Sequence, residues 1–178
     1  MSQLAYTQDP AVALPGMLAG PFEDNDVRTA IASVLIQYGL GVAYTASGAA
    51  NENPPGAKIP TVGATEVTDT LFLGISVRDP SRDRLTVGAL ISTGYAIDEP
   101  FPYLRKGRIW VLAEKAVAFG DPVFCRVTAG GAEVAGAFRD DADTADAFEI
   151  PGAQWFTPTT GAGLAIIELK PTQWAADS

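Results

Sequence analysis

The residues best suited to chemistry lie in the acidic run Asp140-Asp141-Ala142-Asp143-Thr144-Ala145-Asp146. Asp141 and Asp143 have the spacing that opens a calcium loop, where alternate oxygen ligands wrap a hard cation. Ala145 stands where the third ligand belongs, and neither the central glycine nor the closing glutamate follows in register. A solvated acidic loop is therefore the expectation. Paired carboxylates could also divide the acid and nucleophile roles of glycoside hydrolysis, yet spacing singles out no pair. The chain has no histidine and a single cysteine, Cys125. That removes Ser-His-Asp and Cys-His nucleophiles, His- or Cys-based zinc sites and the commonest general base near neutral pH. The glycine patches Gly39 to Gly41, Thr128 to Gly131 and Gly161 to Gly163 lack the lysine and the strand-to-helix setting of a phosphate loop. No catalytic residue, metal or cofactor is expected.

A second group, Arg105, Lys106 and Arg108, is bracketed by Tyr103 and Trp110. Basic residues among aromatics occur on nucleic-acid surfaces, but here they sit in a chain with 12 basic and 21 acidic residues, net charge −9. Such a surface repels phosphate backbones and anionic bilayers, so neither nucleic acid nor membrane is an expected partner. The plainer reading is a turn at Lys106-Gly107 that carries charge into water, with Ile109 and Val111 alternating against Trp110 on the next strand. A contact with an acidic protein is the functional alternative, since arginine, tryptophan and tyrosine concentrate at interface hot spots.

Those groups need a scaffold, and composition selects one. With 178 residues the chain is the size of one domain. Its 18 glycines and 13 prolines suit short strands and tight turns rather than a helical bundle. Strand signals fall at Ile36 to Thr45, Leu71 to Val77, Arg84 to Ile91, Arg108 to Ala113, Pro122 to Thr128, Glu133 to Phe138 and Gly163 to Leu169. This spacing predicts an all-β fold, an antiparallel barrel or jelly-roll-like single domain. Ala46 to Val62, with Pro54-Pro55-Gly56, reads as a surface loop. Core packing is the default for Trp155, whereas Trp174 is left open.

Three stretches are distinguished: an extended N-terminal segment 1–37, a body 38–170 and a tail 171–178. Within the first, Asp24 or Asn25 could cap a helix carrying Val27, Ile31, Val34 and Leu35 at helical spacing. Met17, Leu18, Phe22 and that apolar run would be costly in water, so the segment is expected to pack on a neighbouring subunit or on a larger assembly that the chain joins. Lacking a basic start followed by an apolar core, and any apolar run near the roughly 20 residues that span a bilayer, the chain reads as soluble and made in the cytoplasm.

Several phrases occur in an order that resembles the structural cement, or head decoration, proteins of tailed bacteriophages. They are Asp9-Pro10, Gly16-Met17-Leu18-Ala19, Tyr38 to Ala43, Phe72 to Arg78, Lys106-Gly107-Arg108-Ile109-Trp110-Val111, Gly120-Asp121-Pro122-Val123, Gly136-Ala137-Phe138-Arg139, Asp143, Ala153-Gln154-Trp155 and Gly163 to Leu169. The resemblance implies a non-enzymatic barrel or jelly roll on the outside of a phage head, clamping neighbouring major capsid protein subunits and stabilising the shell. It also implies a homo-oligomer, a dimer in preference to a trimer. Met17, Leu18, Phe22, Arg105, Lys106 and Arg108 are the candidate contacts. A carbohydrate-binding or carbohydrate-active virion barrel is the alternative.

Overall fold

The computed structural model describes residues 13–20, 25–45, 54–60, 72–82, 85–86, 89–90, 94–131 and 133–170. Among them the strands are β1 (Leu18–Ala19), β2 (Asp26–Ala32), β3 (Ile36–Gln37), β4 (Gly41–Tyr44), β5 (Gly56–Lys58), β6 (Phe72–Ser76), β7 (Leu85–Thr86) and β8 (Ala89–Leu90). They continue with β9 (Gly94–Tyr95), β10 (Pro100–Ala113), β11 (Pro122–Arg126), β12 (Phe138–Arg139), β13 (Ala147–Trp155) and β14 (Gly163–Leu169). No α-helix occurs among the described residues; 3-10 turns lie at Pro80–Arg82 and Asp143–Ala145.

The expected all-β barrel forms, and its pairings close two rings that share one strand. The first half of β10 pairs with β2 on one side and β6 on the other, and β5 and β4 complete that ring. Its second half pairs with β14 and, at Ala113, with β12, and β13 and β11 complete the second ring. Closure leaves few strand edges to recruit other chains. The two short pairs β3–β9 and β7–β8 stand apart from this sheet.

Each ring has its own core. The first is filled from every one of its strands, by Ala30, Ala32, Val42, Ala57, Leu73, Phe101 and Tyr103, with Ile36, Tyr38 and Tyr95 packed among them. The second buries Ile109, Val111, Val123, Phe138, Ile150, Trp155, Ile167 and Leu169. Phe72 and Ile75, from β6 of the first ring, belong to the second core, so the rings interlock. Trp155 is fully buried, as expected. Cys125 is also buried, and that burial pushes its thiol pKa up, which leaves it protonated and unreactive.

Four expectations are corrected here. The helix expected near Val27 to Leu35 is strand β2. Its buried residues are Ala30 and Ala32, whereas Val27 (42%), Val34 (39%) and Leu35 (60%) are well exposed. A small ring has room for alanine inside, so pairing with β10 overrides the helical spacing of the larger residues. Lys106-Gly107 is not a turn but lies within β10, next to a bulge at Arg105, where the register with β2 shifts between Leu104 and Lys106. There Gly107 has φ +121, and a Cβ on it would lie 1.9 Å from Asn25 Oδ1. The strand expected over Glu133 to Phe138 starts only at Phe138. Ahead of it the chain turns, with Ala137 N–H donating to the Val134 carbonyl and Gly136 N–H to that of Arg126. The loop expected from Ala46 to Val62 is in part strand, since β5 (Gly56–Lys58) pairs with β2 and β4 and buries Ala57 completely. The proposed cap Asp24, loop residues 46–53 and 61–62, Arg84, Ile91 and Trp174 lie outside the described residues.

Candidate functional site

The wall formed by β1, β10, β14 and β13 sets the geometry. In register, Ile109 faces Ile167 and Val111 faces Ala165, all fully buried in the second core. The alternate pairs, Arg108–Glu168, Trp110–Ile166 and Leu112–Leu164, therefore share the outer face. Met17 joins them, because its carbonyl accepts from Trp110 N–H at 2.8 Å across β1. On the other side Phe156 N–H donates to the Ile166 carbonyl at 2.8 Å, and Phe119 meets the Phe156 ring edge-on at 6.0 Å. An apolar row thus runs from Met17 through Trp110 and Ile166 to Phe156 and Phe119. Met17 (39%) and Phe119 (66%) are its most exposed members, and Leu112 (53%), opposite Leu164, stands beside it.

A charged row borders it. Arg108 Nε donates to Glu168 Oε1 at 2.8 Å, Gln154 Nε2 donates to Glu168 Oε2 at 2.9 Å, and Lys170 Nζ stands 3.2 Å from the same oxygen. The Arg108 guanidinium also stacks on Phe156, 3.7 Å from the ring centroid. Burial alone would raise the Glu168 pKa, but the Arg108 and Lys170 contacts outweigh it and the net shift is downward. At the end of this row, Ala19, Asn25, Lys106, Gly107, Arg108, Glu168, Leu169 and Lys170 line a pocket of about 200 Å³. Asn25 Oδ1 accepts from Arg108 N–H at 3.4 Å, whereas its buried Nδ2 has no hydrogen-bond partner.

Of the sequence candidates, the structure brings Met17, Lys106 and Arg108 to this wall. Leu18, opposite Ile109, packs against the core. Arg105 is half-buried and is not among the pocket's lining residues. Phe22 lies outside the described residues.

The acidic run keeps much of its exposure, with Asp141 at 49% and Asp143 at 34%, but it is also held by cations. Arg126, with a side chain only 1% exposed, reaches Glu114 at 2.8 Å, Glu133 at 3.0 Å and Asp143 at 2.6 Å. Arg139 pairs with Asp141 at 2.6 Å and with Asp143, while Lys115 Nζ lies 2.7 Å from Asp140 and also contacts Asp141. The hydrogen bond from Lys115, helped by Arg139, holds the Asp141 carboxyl below its usual value; Arg126 followed by Arg139 does the same for Asp143. Under this clamp Asp143, Thr144 and Ala145 all take positive φ, at 43, 57 and 81°, a run that costs roughly 1–2 kcal/mol per residue. The carboxylates are thus committed to arginine and lysine. Among the described residues, no group of three or more His, Cys, Asp or Glu is arranged to hold a metal ion, and no helix is long and apolar enough to cross a membrane.

The described residues thus form two interlocked barrels with an arginine–carboxylate network at one place and a partly exposed apolar wall at another. The chain belongs to the structural cement protein family (E217 gp24/Pam3 gp6), whose model matches residues 2–170. It is accordingly a phage capsid component, and the family implies a structural, non-enzymatic role. A chain from the capsid of Myoviridae phage XM1 shares the fold, with a TM-score of 0.67 and 17% identity over 98% of this chain and 99% of that one. No curated protein sequence matches the chain.

Proposed function

We propose that this protein sits on the outside of a tailed-phage head and holds neighbouring major capsid subunits together. The observation that carries the reading is β10, 14 residues long and shared by both rings. At about 3.3 Å per residue its contour is at most roughly 46 Å, bent at the bulge, and residues of β6 in the first ring packed into the second core tie the two barrels together. A stiff body that touches two subunits adds contact free energy that must be lost before they part. About 1,600 Å² of buried interface, with a few aromatic and arginine anchors, is enough for that.

The protein acts without catalysis, as a dimer, and makes no contact with nucleic acid or membrane. Met17, Lys106 and Arg108 lie on or beside the contact wall; Arg108 contributes as a guanidinium already fixed by Glu168 and Phe156. A density map of heads carrying the protein tests the placement. Density outside the shell, astride a boundary between capsid subunits, is expected. Density inside the shell, or over the middle of one subunit, would overturn it.

A further inference from the structure

Residues 13–19 lie across the joint between the two rings and make backbone hydrogen bonds to both of them. The ladder along β10 shifts at the bulge between Leu104 and Lys106. Before the bulge, β6 pairs with Tyr103 and Leu104. Beyond it, β1 pairs with Arg108 and Ile109 on the edge opposite β14, the edge that β12 takes at Ala113. β1 therefore fills the stretch of β10 between its last pairing with β6 and its pairing with β12. Gly16 ties this stretch to both rings. Its N–H donates to the Trp110 carbonyl of β10 at 2.7 Å, and its carbonyl accepts from Arg78 N–H, just past the end of β6, also at 2.7 Å. The Met17 carbonyl accepts from Trp110 N–H at 2.8 Å. Ala13 and Ala19 are buried, and Leu18 packs on the second core.

A contact between two glycines sets the fit. Gly16 has φ +83 and Gly39 has φ +73, conformations that favour glycine. A Cβ on Gly16 would lie 2.9 Å from Arg78 N and 3.0 Å from Gly39 N, and one on Gly39 would lie 2.7 Å from Gly16 N. Backbone meets backbone here, so no side-chain rotation relieves a clash. Phe72 and Ile75 also join the rings, but by apolar packing, which is non-directional. The hydrogen bonds of Gly16 are directional and fix one angle. We propose that residues 13–19 are a strap that locks the two rings in one orientation. Closed, it makes them one rigid body; open, they pivot at the bulge of β10. The inference concerns the isolated chain and stands apart from the cement reading.

The test uses the full chain with spin labels on two exposed positions, Leu35→Cys beside the first core and Phe119→Cys beside the second. Cys125 is buried and takes no label. Pulsed electron resonance then measures the spread of distances between the labels, which should be single and narrow in the otherwise unaltered chain. Gly16→Ala and Gly39→Ala jam the strap from its two sides. Gly120→Ala is the control, with a like φ of +86 but nothing within 4 Å of its Cβ. Both jamming variants should at least double the width of the distribution, and the control should leave it unchanged. The amides of Arg78 and Trp110, which bond to the strap, should exchange at least tenfold faster in both variants. Those of Ile31 in the first ring and Arg126 in the second should keep their wild-type rates. An unchanged narrow distribution in both variants would overturn the proposal. So would equal acceleration of all four amides, or loss of both rings together, since either makes the segment part of one folding unit rather than a lock between two.

Discussion

Arg126 donates from Nε to both carboxylate oxygens of Glu114, at 2.8 and 3.0 Å, from a side chain that is 1% exposed. β11 carries the arginine at its last position, and the glutamate follows directly on β10. The pair therefore ties the end of the shared strand to the second ring. Removing one partner of a buried ion pair strands the other charge, at about 3–5 kcal/mol. Glu133 and Asp143 still face Arg126, so Glu114→Ala should fall near the lower end. At roughly 2–4 °C per kcal/mol for a chain of this size, calorimetry should show a melting temperature lower by about 6–12 °C. A shift under about 1 °C would mean that the pair is not structural.

Asp141 and Asp143 have depressed pKa values in the folded protein because Lys115, Arg126 and Arg139 stabilise their charged forms. For a depressed carboxyl, the unfolded chain binds protons first. The stability gained is whole above the ordinary aspartate value of 3.8 and drains away as pH falls through the lower folded values. Acid titration of the melting temperature should therefore show a steep loss below about pH 4. Asp143→Asn removes one contribution, so it should melt lower at neutral pH with a shallower acid limb. An unchanged limb would show that the clamp does not govern acid stability.

The same clamp holds backbone. Val127 N–H donates to the Asp146 carbonyl at 2.8 Å, and Ala147 N–H to that of Ala142 at 3.1 Å. These amides should exchange with solvent much faster in Arg139→Gln than in wild type, while that of Ile31, bonded to the Pro55 carbonyl in the first ring, is unaffected. Uniform acceleration of all three would point to global destabilisation instead.

Gly74 and Gly107 test how tightly the rings are joined. A Cβ on Gly74 would lie 2.2 Å from the Leu104 carbonyl oxygen, backbone that belongs to β10 and cannot step aside. On Gly107 it would meet the Asn25 side chain, which can move, though φ +121 still strains any L-residue. Gly107→Ala should cost about 1–3 kcal/mol, and Gly74→Ala distinctly more, both read by denaturant unfolding. The reverse order would contradict this account of the joint.

What the sequence made legible was local. Gly163 to Leu169 is a short, nearly continuous apolar run and forms the strand expected over those residues. β13 escaped because Pro151-Gly152 interrupts its pattern, although the strand runs on from Ala147 to Trp155. Glycine between charged residues at Lys106-Gly107 has the composition of a hairpin turn, and only partners far along the chain make it continuous strand beside a bulge. Alternation would turn Arg126 outward beside the buried Cys125. Both are in fact buried, and the sole hint was the crowd of carboxylates from Asp140 to Asp146 in want of cations. The apolar wall was half visible, in Met17 and Trp110. Its other members come from β14 and the turns beyond β13, which only register brings alongside.

Heat-driven DNA release tests the central claim most directly. Heads carrying the protein, heads lacking it and heads restored with purified protein are warmed while a dye reports escaping DNA. If the protein cements the shell, undecorated heads release DNA several degrees below decorated ones, and added protein restores the higher temperature. Release at one common temperature from all three would contradict the account.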